Sequence, residues 1–230
     1  MHRVEVCKQK ASLLATNCNF LWCTALNYRE SKNLHWFAML HADIEPDAWW
    51  IDTLIAEASK YDADMMSAVV PIKDHVGVTS TALAKPASRY GNFCRLTQAQ
   101  VRHATFPDTF GIHEAVDALA RLPEPLRVPD APREALMVNT GCFVCRLDRA
   151  WCEQVWFEQY DAIEKREGLW SPVYQSEDWN FSRHIAELGG KVMATRLVNV
   201  HHFGDAEFLS DAVWGAPRDP ESKFGPGGAN

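Results

Sequence analysis

Three short apolar runs constrain this chain more than any other feature. Leu34 to Leu40 reads LHWFAML, Ala63 to Val70 reads ADMMSAVV, and Ala135 to Leu147 reads ALMVNTGCFVCRL. Runs of strand length that stay apolar, without polar alternation, belong to strands buried on both faces. The third run is interrupted around Asn139-Thr140-Gly141. Between the first two lies a helical pattern. Asp47 stands where an N-cap is expected, and Trp50, Leu54 and Ala58 share one stripe of a helix from Ala48 to about Lys60. Leu14, Cys18, Leu21, Trp22, Ala25 and Leu26 recur at helical spacing and predict an amphipathic helix over 11–30. Strands alternating with helices predict an α/β domain with a mixed, largely parallel sheet flanked by helices. In such sheets ligands bind beyond the carboxyl ends of the strands. That rule draws attention to the residues just after Leu40 and to those flanking Asn139.

The remaining segments complete the outline. Thr79 to Leu83 reads as an extended piece. Short helical patterns lie near 96–103 and 112–121, before Pro123, Pro125, Pro129 and Pro132 break regular structure. Ala150 to Arg166 is expected to be a helix rich in aromatics. Ser176 is expected to cap a further helix, with Glu177 and Asp178 in its first turn and Gly189 near its stop. Lys191 to His202 reads as a last strand or strand pair. One domain over 1–208 is expected, followed by a flexible Gly/Pro-rich tail over 209–230.

Composition narrows the functional classes. The chain carries 23 Lys and Arg against 30 Asp and Glu, a net charge of −7. That argues against broad nucleic-acid binding, which needs a basic face. No apolar run approaches the roughly 18–20 residues of a membrane-spanning helix. The N-terminus, MHRVEVCKQK, lacks the apolar core of a signal peptide, so a cytoplasmic location is expected. Seven cysteines, an odd number, fit reduced thiols better than a disulfide framework.

Four constellations could carry chemistry. His41, Asp43 and Glu45 would face one side of an extended segment, beyond a strand's carboxyl end. Two carboxylates with one imidazole suit Mg²⁺ or Mn²⁺ better than structural zinc. The alternative is that these acids merely precede a helix, favoured by its dipole. Glu177 and Asp178, followed by Trp179, either serve a helix N-terminus or supply a general base with an indole for a sugar ring. His201-His202-Phe203-Gly204 ends a strand, and adjacent strand residues face opposite sides, so one histidine at most would serve a given site. Cys142-x-x-Cys145 has no second pair to complete a zinc site, and inert buried thiols are the better reading. The phosphate-loop, dinucleotide, nucleophile-elbow and zincin signatures are absent from the sequence.

The order of these motifs is more specific than any one of them. FAMLHADIEPDAWW (37–50), SAVVPIKDHVGVTSTAL (67–83), VNTGCFVCRL (138–147) and SEDWNFSRHIAELGGKVMATRLVNVHHFG (176–204) succeed one another as in GT-A glycosyltransferases. Roughly residues 11–208 resemble the large, mostly inverting family-two type. The resemblance implies a GT-A (Rossmann-like) fold, a nucleotide-sugar donor (a UDP-sugar foremost), Mn²⁺ or Mg²⁺, and a glycan or other hydroxyl acceptor. It places the metal-binding Asp of the family's Asp-x-Asp motif on Asp43, and Glu45 would compensate as a metal ligand for His41 at the motif's first position. The family's late metal-binding histidine falls on His202, with His201 as runner-up. The base falls on the Glu177–Asp178 pair, Asp178 first. Asn139, Thr140 and Gly141 match a segment lining the sugar pocket, and Trp179 would lie against a sugar face.

Two departures accompany the resemblance. His41 stands where the family has the first Asp of Asp-x-Asp. Most of the strand–helix–strand unit that cradles the nucleoside base is missing or reduced to residues 1–10, so an N-terminally shortened version of the fold is expected. A shortened sheet leaves an edge that a second copy could cover, which admits a homo-oligomer. The alternative function is a non-catalytic GT-A-like binding or assembly module that has lost donor binding.

Overall fold

The structure is a computed structural model that describes residues 4–10, 13–84, 93–166, 168–204 and 207–211. Its elements in chain order are α1 (Leu14–Tyr28), β1 (Trp36–Leu40), β2 (Ile44–Pro46), α2 (Trp50–Lys60), β3 (Met65–Ala68), β4 (Val78–Ala84) and β5 (Phe93–Thr97). They continue with α3 (Gln98–Val101), β6 (Thr109–Phe110), α4 (Ile112–Arg121), β7 (Ala135–Met137), β8 (Cys142–Arg146), β9 (Tyr160–Arg166) and β10 (Leu169–Gln175). The last are α5 (Glu177–Glu187), β11 (Val192–Thr195), β12 (Val200–Phe203) and β13 (Glu207–Leu209).

A five-stranded sheet in the order β1-β8-β3-β11-β6 forms the centre. The chain is α/β, but the largely parallel sheet expected from the sequence is not what forms. Within the central sheet only β3 and β11 are parallel neighbours. β8 lies between β1 and β3 and runs against both, and β6 runs against β11. The smaller sheets, β13-β12-β2, β5-β4-β7 and the hairpin β9-β10, are antiparallel throughout. The apolar run through Asn139-Thr140-Gly141 is the reason. It splits there, giving β7 to one sheet and returning β8 through another. β1, β3 and β11 nevertheless share one direction, so their carboxyl ends meet at one end of the sheet.

Both faces of that sheet are covered. Met65, Phe143 and Cys145 pack with Trp22 of α1, Leu119 of α4 and Phe181 of α5. Met66, Val144 and Met193 pack with Leu54, Ile55 and Ala58 of α2 on the opposite face. β3 and most of β8 are buried as their apolar runs require. β1 is not. It is the edge strand, where Phe37 and Met39 are buried while Ala38 and Leu40 are exposed.

Three local expectations change. Asp47 does not cap α2. Its carboxylate accepts from the Asn199 N–H at 3.2 Å, and Trp49 holds the cap position. Ser176 occupies the N-cap of α5 but its hydroxyl makes no capping bond. Residues 150–166 form a short 3₁₀ turn at Ala150–Glu153 and then extended chain into β9. Side chains of α1 hold that chain open. The Asn19 amide accepts from Phe157 N–H at 2.8 Å and donates to Phe157 C=O at 2.7 Å. The Trp22 indole donates to Val155 C=O at 3.2 Å. Gly189, with φ +82°, ends α5 as expected. Residues 4–10 are exposed and lie outside any helix or strand. The tail beyond 211 lies outside the described residues. No helix among the described residues is long and apolar enough to cross a membrane.

Candidate active site

The co-directional strand ends gather most of the expected residues. A turn comes directly after β1, closed by Ile44 N–H to His41 C=O at 3.2 Å. This turn breaks the alternation that would have aligned His41, Asp43 and Glu45. Asp43 is tied to β12 by Phe203 N–H donating to its carbonyl at 2.8 Å. Its Oδ2 lies 3.6 Å from His202 Nε2 and also takes the Lys73 ammonium. Glu45 leaves the group. It pairs with His201 in the β2–β12 ladder while Ile44 pairs with His202, so Glu45 and His201 occupy the other face.

His202 is fixed by its other nitrogen. Nδ1 lies 2.7 Å from the Pro71 carbonyl oxygen, which can only accept, so Nδ1 carries the proton. Burial lowers the His202 pKa and the Lys73 ammonium adds to this, against the Pro71 bond and the Asp43 carboxylate, so the balance favours the neutral ring. Nε2 then keeps its lone pair directed toward Asp43. A carbonyl-anchored imidazole beside a carboxylate is the form in which histidine binds a cation. The Asp43 carboxyl sits below its usual range, burial being outweighed by Lys73 and His202.

The second group lies at the N-terminus of α5. Asn139 Nδ2 donates to Asp178 Oδ2 at 3.1 Å, and the Thr140 hydroxyl donates to Oδ1. Asn139 is itself braced. Its Nδ2 also donates to Ser80 Oγ at 3.2 Å, its Oδ1 accepts from Gly141 N–H at 2.6 Å, and its carbonyl accepts from Ser67 Oγ at 2.7 Å. Burial raises the pKa of Asp178, opposed by the Thr140 bonds and the Arg95 charge. Burial also raises that of Glu177, and the adjacent Asp178 adds to it. Two neighbouring buried carboxyls of raised proton affinity are stronger proton acceptors than exposed ones.

Gly141 joins the two groups. A Cβ there would come within 2.4 Å of Ile44 Cδ1, 2.7 Å of Asn139 Oδ1 and 3.2 Å of His41 Nδ1. Only a glycine lets the chain pass between them. His41 N–H donates to Gly141 C=O at 2.8 Å. The His41 Nε2 is enclosed without a hydrogen-bond partner, and burial lowers the pKa of the ring.

Trp179 does not offer a sugar platform. It is 4% exposed, its Nε1 donates to Ser80 C=O at 2.9 Å, and Phe93 meets it edge-on at 4.7 Å. The Arg95 guanidinium stacks 4.2 Å from its ring centre. An indole after a helix N-terminus turns inward when a sheet, here β4 and β5, covers that side. Cys142 and Cys145 are buried free thiols whose pKa values burial pushes up.

Lys73, Pro71 and Ser80 were not singled out in the sequence. Pro71 and Lys73 follow the carboxyl end of β3, and Ser80 lies within β4. Among the described residues no group of three or more His, Cys, Asp or Glu side chains converges on one point.

No family model matches this chain, and no curated protein matches it. Among solved structures it is similar to A197 from STIV, at 15% identity and a TM-score of 0.47. That match spans 95% of this chain and 83% of the other.

Proposed function

We propose that the chain is a metal-dependent glycosyltransferase that moves a sugar from a nucleotide-sugar donor to a hydroxyl acceptor with inversion. One observation carries the reading. His202, fixed through Nδ1 by Pro71, presents Nε2 to Asp43 in the segment after β1, and β1 shares its strand end with the residues that hold Asp178. The donor set fits Mg²⁺ or Mn²⁺, which take one or two protein ligands and complete their shell with phosphate oxygens and water. When bound, such a cation neutralises charge on a leaving diphosphate. Asp43 and His202 are the side chains that would hold it.

The chain's own residues do the rest. Asn139 and Thr140 fix the Asp178 carboxylate, and burial gives it the proton affinity to take the acceptor hydroxyl's proton during attack on the anomeric carbon. Glu177 is the second candidate for that proton. His41 and Gly141 lie between the two groups, where the donor would cross.

The test is a thermal-shift series of nucleoside diphosphates and UDP-sugars, with and without Mn²⁺. A metal-dependent rise for one nucleotide is expected in the wild type and is expected to vanish in Asp43→Asn. Asp178→Asn is expected to keep the rise and lose turnover, and full activity in that variant would refute the assigned base.

A second reading, a module without donor binding, draws on the Lys73 ammonium, which already satisfies Asp43. It gains if no nucleotide shifts either the wild type or Lys73→Ala.

A further inference from the structure

The hairpin of β9 and β10 pairs with no other described strand. Its register sets Trp170 opposite Lys165, Pro172 opposite Ile163, and Tyr174 opposite Asp161. Directly opposed residues share a face, so these six form one surface. All six are exposed. Ile163 is 72% exposed, Trp170 68% and Tyr174 65%. The other face carries Val173 and Gln175, which are buried. The exposed face therefore leaves Ile163, Trp170 and Tyr174 together in solvent, an apolar patch between a lysine and an aspartate.

We propose that this face is the contact between two copies of the chain, packed about a two-fold axis that lies in the contact plane and crosses the strands at Ile163 and Pro172. That operation sets each Lys165 against the partner's Asp161 and each Trp170 against the partner's Tyr174. Ile163 and Pro172 meet their own counterparts at the centre. The face is thus complementary to itself in charge and in aromatic placement, as an isologous contact requires. A glycan fits less well, because the middle of the face is Ile and Pro and offers no side-chain hydrogen bond to a hydroxyl. Six residues cover less than the roughly 800 Å² per partner of a tight complex, which points to a dissociable dimer in the micromolar range.

The test is sedimentation equilibrium of the whole chain from roughly 1 to 100 µM, a range that spans such an affinity. The wild type is expected to approach twice the monomer mass. Lys165→Asp and Asp161→Lys are each expected to dimerise at least about tenfold more weakly, because like charges then face each other. Mixed in equal amounts, the two variants are expected to recover a one-to-one dimer, since every facing pair is again opposite in sign. Their melting temperatures serve as the check that both are folded. A monomeric wild type at every concentration overturns the proposal. So does a dimer indifferent to both reversals, or a mixture that stays monomeric. An oligosaccharide that quenches Trp170 fluorescence in a monomeric wild type overturns it in favour of a glycan platform.

Discussion

At the scale of single residues, the site is built by burying carboxyls beside neutral donors. Asp178 keeps two donors, Asn139 and Thr140. Glu177, next to it, is raised in pKa by burial first and by Asp178 second. A carboxyl whose folded pKa is raised stabilises the fold fully below its unfolded value of about 4.3, and that contribution is lost as the pH rises through the folded value. Above the unfolded value Glu177 therefore opposes folding. Glu177→Gln is expected to raise the melting temperature at pH 7.5 by a few degrees, on the scale of about 2–4 °C per kcal/mol for a chain of this size. The gain is expected to shrink to nothing as the pH falls to about 4. Scanning calorimetry from acid to neutral pH checks this, and a gain independent of pH would place the effect elsewhere.

At the scale of elements, the same chain segment can be read two ways until its neighbours are known. Residues 150–166 are aromatic and apolar enough to suggest a helix, yet Asn19 and Trp22 of α1 bind their backbone as a neighbouring strand would. Asn19→Ala removes two of those bonds and leaves a part-buried N–H and C=O unpaired. A loss of about 1–3 kcal/mol is expected, read from the urea midpoint. A loss near zero would mean that packing alone, chiefly Phe157 stacked at 4.0 Å on Phe181, holds the segment. The legible elements were those whose signals are local. β3, α2, α4, α5 and the stop at Gly189 come from apolar runs, periodicity and a glycine at φ +82°. Strand direction was not legible, because no residue of β8 announces that it runs between β1 and β3 rather than beyond them. Of the residues picked by spacing and motif order, Asp43 and His202 approach each other to 3.6 Å and Asp178 is held by Asn139 and Thr140. Glu45 and Trp179 were misplaced because a turn after His41 and the cover of β4 over α5 are tertiary facts. Lys73 had no signal beyond its position after a strand end.

At the scale of the whole molecule, the core joins residues that are far apart along the chain. Trp22 of α1 lies edge-on to Phe37 at 5.2 Å and to Phe181 at 5.4 Å, and stacks with Trp151 at 6.5 Å. Asn19 finds its partner 138 positions later. During synthesis at about 5–20 residues per second, Asn19 is added roughly 7–28 s before Phe157. For most of that interval Trp22 lacks Trp151 and Phe181, two of its three aromatic neighbours among the described residues. Ribosome-bound chains arrested before residue 150 are expected to be cut by protease within α1. Chains arrested well past residue 190 are expected to resist, and protection of the shorter chains would show that α1 has found an earlier partner. Closing the core around the first helix thus waits for residues beyond 150.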